Sequence, residues 1–385
     1  MAQTVVVGLG RSGEGAARLL QATGHPVAVI DSGQSEQLEK KAERLRQQGV
    51  EVQLQAPLAI DSFRPWLDQL QRVVISPGIP WDHPTLQDLR QRDVAVDGEM
   101  AVAWDALKHI PWVGITGTNG KTTVTHLLSH VLCQAGLAAP MGGNMGVSAA
   151  EMALTLKQEQ TCAPDWLVME LSSYQIEAAD RIRPRIGIWT TLTPDHLERH
   201  GTVEAYRAIK RGLLERSDHA IFNADDPDLR QQRQSWTGGT WVSAESAQPD
   251  GQPADLWING EGWVCDRSQP LFPAEALAMP GAHNRQNLLL VTAAARQIGL
   301  SPASIEAGLR SFPGVPHRLE PLGRIRNAQV FNDSKATNYD AAAVGLKAMQ
   351  GPVVVLAGGS TKQGDASGWL EELNRRACAV VRFGA

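Results

Sequence analysis

The stretch "GITGTNGKTT", residues 114–123, limits this chain's fold more than any other. The apolar run "WVGIT" (112–116) before it predicts a buried strand. After it, a helix is predicted from about Thr122 to Ala135, with Val124, Leu127, Leu128, Val131 and Leu132 spaced along one face. A loop held between a strand and a helix N-terminus presents successive N–H groups and the positive end of the helix dipole, which favours phosphate. Gly117, Thr118, Asn119, Gly120, Lys121, Thr122 and Thr123 form this cradle. Lys121 can reach β- and γ-phosphates, and the Thr122 hydroxyl can ligate magnesium. One departure is Ile115, where the commonest phosphate loop has glycine five residues before Gly120.

A second glycine cluster opens the chain. The strand "TVVVG" (4–8) leads into "GLGRSG" (8–13) and then a helix with Ala16, Ala17, Leu19 and Leu20 on its apolar stripe, ending at Gly24. "VAVID" (27–31), a polar helix near 35–48 and "RVVISPG" (72–78) continue a strand–helix alternation that predicts a parallel sheet. Gly8 permits a tight turn, Gly10 lets the backbone approach a diphosphate, and Asp31 stands where a ribose-binding acid would sit. Alone, this cluster specifies a hole shaped for a diphosphate; it leaves a nicotinamide dinucleotide and other nucleotides open.

Further strands are predicted in "DWLVMELSSYQIE" (165–177), delivering Glu170, and "IGIWTTLTPDHLERH" (186–200), delivering Asp195 and His196. Carboxylates and imidazoles at strand ends beside a phosphate loop suit magnesium or substrate. A helix over 202–218, capped by Thr202, is predicted to bury Tyr206, Ile209 and Leu213, so that Lys210 would ordinarily reach solvent. "HAIFNADD" (219–226) reads as a strand, 235–272 as short strands with a hairpin and core tryptophans, and 281–299 as a helix.

The chain's 385 residues call for two or three domains, and 43% apolar with 20% charged residues is the composition of a globular protein. A net charge of −5 argues against a general nucleic-acid or anionic-membrane binder. The four cysteines form no zinc pattern and suit free thiols in a reducing compartment. With no long apolar span and no secretory start, a cytoplasmic setting is expected.

Taken in order, "GITGTNGKTT", "ELSSYQIE", "TLTPDHLERH", "YRAIK", "FNADD", "GAHNRQN", "GVPHRLE" and "NDSKATN" resemble the Mur ligases, in particular their D-glutamate-adding branch, from residue 3 to the end of the chain. The resemblance implies an α/β protein of three domains. These are a Rossmann-like UDP-binding domain over 1–98, a central ATPase-like domain with the phosphate loop over 99–314, and a Rossmann-like C-terminal domain over 315–385. Relatives continue past "VVRFGA", so this last domain is expected to be incomplete.

The implied activity is an ADP-forming acid–D-amino-acid ligation in peptidoglycan synthesis. UDP-N-acetylmuramoyl-L-alanine, D-glutamate and ATP are the substrates, Mg2+ is the metal, the protein is a monomer, and neither nucleic acid nor membrane is a partner. By family motif, Arg11, Ser12, Asp31, Ser32 and Gly78 line the uridine diphosphate site, and Asn144 touches substrate. Lys121 and Thr122 serve ATP and magnesium, with Glu170 and His196 as further metal ligands. Asn284, Asn287, Arg318 and Asp333 fall on ATP-site positions, and Lys335 and Thr337 on amino-acid or phosphate positions. Lys362 matches a glutamate-site lysine. Lys210 matches a lysine that relatives carry as a CO2-derived carbamate, converting a cation into a metal ligand. Sister Mur ligases, a folylpolyglutamate synthetase, a non-catalytic UDP-sugar-binding fragment and an NAD-dependent oxidoreductase are the competing readings.

Overall fold

The computed structural model describes residues 3–159, 163–359 and 365–383. By contacts the chain divides into two units, Met1–Lys121 with Leu137–Ala220, and Thr122–Gly136 with Ile221–Ala385.

The first unit opens with β1 (Gln3–Val7), α1 (Arg11–Ala22), β2 (Val27–Ile30), α2 (Glu36–Gln47), β3 (Glu51–Gln53), β4 (Leu70–Ile75), α3 (Pro84–Gln91), β5 (Ala95–Gly98) and α4 (Glu99–Leu107). The strands form one sheet in the order β3-β2-β1-β4-β5, and all are parallel. "VVV" and "VAVI" carry no alternation because parallel strands are covered on both faces. Val5, Val7, Ala28, Ile30, Val73 and Ile75 meet Phe63, Trp66, Leu86 and Leu89 in its core. Strand order reverses between β1 and β4, so the crevice beyond their carboxyl ends is where such a sheet takes ligands.

Next come β6 (Trp112–Thr116), α5 (Lys121–Gln134), β7 (Met141–Gly143), α6 (Ala149–Glu159), β8 (Leu167–Glu170), α7 (Ser173–Glu177), β9 (Ile186–Trp189), α8 (Leu197–His200) and α9 (Val203–Glu215). Strands β7-β8-β6-β9 of the first unit lie side by side and parallel. The strand predicted within 165–177 delivers Glu170 at its carboxyl end, as expected, because Ser172 and Gln175 make a reciprocal capping box that starts α7. The next one is shorter than expected. The 186–200 run stops at Trp189, and Thr190–Thr193 turn aside to bond the phosphate loop. Asp195 and His196 therefore stand on a loop before α8.

The second unit contains the body of α5, then β10 (His219–Asn223), α10 (Pro227–Gln231), β11 (Thr240–Ser243), β12 (Leu256–Ile258), β13 (Trp263–Asp266), β14 (Gln269–Pro273), α11 (Ala282–Ile298) and α12 (Pro302–Arg310). Here β10-β11-β12 are parallel, and β12-β13-β14 turn antiparallel through the expected hairpin. Trp241 is buried against Phe222, but Trp263 is 39% exposed, so the tryptophans are not uniformly core. Beyond these lie a hairpin of β15 (Glu320–Ile325) and β16 (Ala328–Asn332), α13 (Tyr339–Ala348), β17 (Val353–Gly358), α14 (Ser367–Arg376) and β18 (Ala377–Phe383). Strands β17 and β18 pair in parallel and expose Val354, Leu356, Val380, Val381 and Phe383. Among the described residues no helix is long and apolar enough to cross a membrane.

Candidate active site

The first cradle is built by glycines and one acid. Gly8 turns the chain out of β1 at φ 92°, and its N–H donates to the Ile30 carbonyl. A Cβ on Gly13 would lie 1.8 Å from the Gly8 carbonyl oxygen, so only glycine lets α1 approach β1 this closely. Gly10 caps α1 with no side-chain bond, leaving the first-turn amides available to an anion. Asp31 braces the rim: one carboxylate oxygen accepts from Leu9 N at 2.6 Å and the other from Gly33 N at 2.7 Å. Arg11 and Ser32 are exposed and Ser12 is half-buried beside this rim. Gly78, exposed, sits in the loop after β4, the partner strand at the reversal of order.

The second cradle follows β6. Gly117 (φ 146°) runs so close to the end of β9 that a Cβ would lie 2.0 Å from Thr190 Oγ1. Thr118 Oγ1 donates to the Thr193 carbonyl at 3.0 Å and lies 3.3 Å from the Tyr206 hydroxyl. Asn119 N donates to Thr191 Oγ1 at 3.0 Å. Lys121 Nζ lies over the loop, bonded to the Gly117 and Thr118 carbonyls at 2.8 and 2.9 Å. Thr122 and Thr123 follow it into the first turn of α5 and are buried.

Beside this loop lies a buried group of opposite charges. Glu170 is 2% exposed at the end of β8; Oε1 accepts from Asn144 Nδ2 at 2.8 Å, while Oε2 is buried with no hydrogen-bond partner among the described residues. Lys210 is 1% exposed, which reverses the expectation for its helix. The inward stripe of α9 is Tyr206, Lys210, Leu213 and Leu214, and Ile209 is only half-buried. Lys210 Nζ donates to the Gly117 carbonyl at 3.0 Å and Thr116 Oγ1 at 3.3 Å, and stands 4.5 Å from the Tyr206 ring centre. Burial first, and then the charge of Lys121, hold its ammonium well below the ordinary range, against the pull of Asp195 and Glu170.

His196 completes the rim. Its backbone is left-handed (φ 56°), which is uncommon outside glycine, and its ring packs 5.0 Å from that of Tyr174. His200, which the sequence reading left without a role, bonds Ser173 Oγ through Nε2 at 2.9 Å and packs against Tyr174 and Tyr206. Burial, then the charges of Arg199, His196 and Lys210, lower its imidazole to about 4, so it is neutral at physiological pH. Its sequence signal was the second histidine of "DHLERH", which only the fold turns toward the loop.

Magnesium fits these groups in one particular way. Among the described residues no three His, Cys, Asp or Glu side chains cluster as a metal site. The orphaned Glu170 oxygen suits a cation that takes its remaining oxygens from phosphate and water. A lysine ammonium at Lys210 does not suit it.

In the second unit, Asn284 and Asn287 are buried on α11; Asn284 donates to the Pro280 carbonyl at 2.6 Å and accepts from Asn287 at 3.1 Å. Asn284 lines a cavity of about 330 Å³ with Met279, Pro280 and Arg285. His283 is lowered to about 4 by burial and then by Arg318, and Asp333 is raised by burial against the pull of Leu319 N and Arg318. The charge of Arg318 thus acts both on His283, next to Asn284 on α11, and on Asp333. Lys335 N donates to the His317 carbonyl, Thr337 is exposed, and Lys362 lies outside the described residues.

Fold and site together define a nucleotide-binding α/β protein with two glycine-built anion cradles, each at the carboxyl edge of a parallel sheet. Residues 2–98 match the Mur ligase MurD-like N-terminal domain and residues 115–295 the Mur ligase middle domain. The UDP-N-acetylmuramoylalanine–D-glutamate ligase of Parasynechococcus marenigrum (strain WH8102) is 95% identical over all of this chain and 83% of its own. Those of Synechococcus sp. (strain CC9605) and Gloeobacter violaceus are 67% and 45% identical, over all of this chain and 84% and 83% of theirs. The chain belongs to the Mur ligase family. Solved structures share the fold at low identity. UDP-N-acetylmuramate–alanine ligase MurC from Thermotoga maritima has a TM-score of 0.58 at 20% identity, covering 100% of this chain and 86% of that one. MurF from Acinetobacter baumannii has 0.58 at 16%, covering 93% and 78%. Neither an oxidoreductase nor a sister specificity is favoured by these relatives.

Proposed function

We propose that this chain is an ATP-dependent, ADP-forming ligase that joins D-glutamate to UDP-N-acetylmuramoyl-L-alanine in the synthesis of peptidoglycan precursors. One observation carries the reading: a cradle that ends a nucleotide-type sheet is accompanied by a second cradle with a buried lysine and a buried, half-orphaned carboxylate at its lip. The first suits the sugar nucleotide's diphosphate, with Arg11, Ser12, Ser32 and Gly78 at its rim and Asp31 shaping it. The second suits the triphosphate of ATP.

The carboxylate of the acceptor is a poor electrophile, since its leaving group would be oxide. Its oxygen attacks the γ-phosphorus of ATP, ADP leaves, and an acyl phosphate results. The amine of D-glutamate then attacks the acyl carbon, a proton is lost, and phosphate departs from the tetrahedral intermediate as the amide forms. Lys121 offsets the repulsion between the two anions and the charge developing on the transferred group. Mg2+, held by Thr122, Glu170, His196 and a modified Lys210, supplies further charge neutralisation when bound. Asn144 holds Glu170 in place and meets the substrate.

The Lys210 amine, buried beside Glu170, is the group that CO2 would convert: nitrogen attacks the carbon of CO2, a proton leaves, and a carbamate anion replaces the ammonium. Asn284, Asn287, Arg318 and Asp333 belong to the nucleotide site, and Lys335, Thr337 and Lys362 to the side that receives D-glutamate and phosphate. The division into domains over 1–98, 99–314 and 315–385, with a monomer working in the cytoplasm, is part of this proposal. The test is phosphate release from ATP with UDP-N-acetylmuramoyl-L-alanine, comparing D-glutamate, L-glutamate and other amino acids. Release that needs D-glutamate supports the reading; release with L-alanine or another amino acid instead would overturn the specificity.

A further inference from the structure

One buried carboxylate takes no part in either cradle. Glu99 opens α4 and is 1% exposed, where α4 packs against α1 and α6. Its Oε1 accepts from Ala150 N, in the first turn of α6, at 2.6 Å; Oε2 is buried with no hydrogen-bond partner among the described residues. The two neighbouring helices lead to opposite ends of the candidate site. Arg11 and Ser12 open α1 at the first cradle, and the chain before α6 runs back through Ser148 to Asn144, which holds Glu170.

A helix cap needs only an exposed oxygen and gains little from full burial. Glu99 instead hides a whole carboxyl, half of it unbonded, which is costly when ionised. Burial pushes it up to about 7, opposed by the Ala150 N–H, the Arg11 charge and the Ser148 hydroxyl. Among the described side chains, the charged groups on the elements packed against α4 are Arg11, Glu14 and Arg18 on α1, Glu151 and Lys157 on α6, Glu177 on α7, Arg72 on β4 and Asp97 on β5. Of these, Glu14 pairs with Lys41, Glu177 with Arg199, and Arg72 with Asp97; Arg11 is the charge that acts on Glu99.

We propose that Glu99 is a positioning residue that couples occupation of the first cradle to the setting of α6: a diphosphate that engages Arg11 draws that cation's field away, Glu99 takes up a proton from solvent, and the Asn144–Ser148 segment rests on a neutral carboxyl. This rests on the reading of the first cradle as a sugar-nucleotide site. A doubly esterified diphosphate does not titrate near neutrality, so protons taken up on binding come to the protein.

The experiment is calorimetry of UDP-N-acetylmuramoyl-L-alanine binding to the full chain at pH 7, in buffers of differing ionisation enthalpy. Uptake of up to about half a proton per site is expected, because a group titrating near 7 is half-protonated beforehand. In Glu99→Gln, which keeps the cap to Ala150 N but cannot titrate, this component is expected to vanish. An equal proton count in the two proteins overturns the proposal and leaves the proposed function standing. Failure of the native chain to bind the sugar nucleotide overturns the proposed function, and this inference with it. If Glu99→Gln does not fold, carboxyl-13C glutamate in the native chain gives the answer: one carboxyl titrating near 7, and higher with ligand, supports coupling. A set of carboxyls all titrating in the ordinary range refutes it.

Discussion

Lys210 and Lys121 are both cations at one loop, yet their settings assign them different work. Lys121 is bonded to the loop's own carbonyls, where a phosphate oxygen can compete for it; Lys210 is walled in by Tyr206 and the end of β6. Removing a preorganised charge of the first kind costs about 3–4 kcal/mol of barrier, so Lys121→Ala should lower turnover by at least about a hundredfold; steady-state phosphate release checks this, and a near-native rate would contradict it. Lys210 should make activity depend on bicarbonate when CO2 is stripped from the assay, and Lys210→Ala should abolish that dependence along with turnover. Glu99 yields a prediction about stability. Its carboxyl, ordinarily near 4.5, sits at about 7 in the folded chain, so the folded state holds that proton more tightly than the unfolded one. Its influence on stability is therefore neutral below 4.5, grows unfavourable as pH rises from 4.5 to about 7, and levels off above 7 at on the order of 3 kcal/mol. Glu99→Gln should come close to the native chain in denaturant unfolding at pH 4 and exceed it at pH 8.

At the scale of elements, both cradles were legible in the sequence because each is local: strand, glycine turn and helix lie within about twenty residues, and their spacing alone predicts the geometry. Gly13 shows how strict that local rule is. Its hydrogen occupies the space that a Cβ would share with the Gly8 carbonyl, so Gly13→Ala must push α1 off β1. A loss of sugar-nucleotide binding by calorimetry, with ATP binding retained, is the expected result. What the sequence did not reveal was non-local. The Thr190–Thr193 staple on the phosphate loop depends on β9 lying beside β6, and periodicity alone turns Ile209 inward and Lys210 outward on α9, so that only the family motif brings Lys210 to the metal. Arg199 belongs to the same class of hidden residue. It donates to the Ile79 carbonyl and to Glu177, each at 2.9 Å, and so pins the loop that bears Gly78. Arg199→Lys, which cannot span two acceptors with a fixed fork, should raise KM for the sugar nucleotide about tenfold, equivalent to 1.4 kcal/mol, with kcat little changed.

At the scale of the whole chain, the question is what makes two parallel sheets of the first unit act as one body. Charge pairing at their junction supplies part of the answer, beside the packing of α1 and α4 on α6. Asp97, at the end of β5 with a side chain 10% exposed, accepts from Arg72 at 2.7 Å and from Arg181 at 3.0 Å, and both arginines also reach Asp105 on α4. The backbone closes the same seam, with Gly98 N donating to the Ala178 carbonyl at 2.6 Å. Two arginines converging on one nearly buried carboxylate are poorly tolerated once it is gone, whereas the pair Arg185–Asp218, with side chains 67% and 57% exposed, is bathed in water. Breaking a buried pair from one side costs roughly 3–5 kcal/mol and an exposed one below about 1 kcal/mol. Asp97→Ala should therefore lower the denaturation free energy by roughly 3 kcal/mol, Asp105 retaining part of the network, while Arg185→Ala should leave it within about 1 kcal/mol. Salt distinguishes the two further: between 0.05 and 0.5 M NaCl, taken as roughly a threefold change in Debye length, the Asp97 effect should persist and any Arg185 effect fade. An Asp97→Ala chain as stable as the native one would show that the two sheets are joined by packing alone.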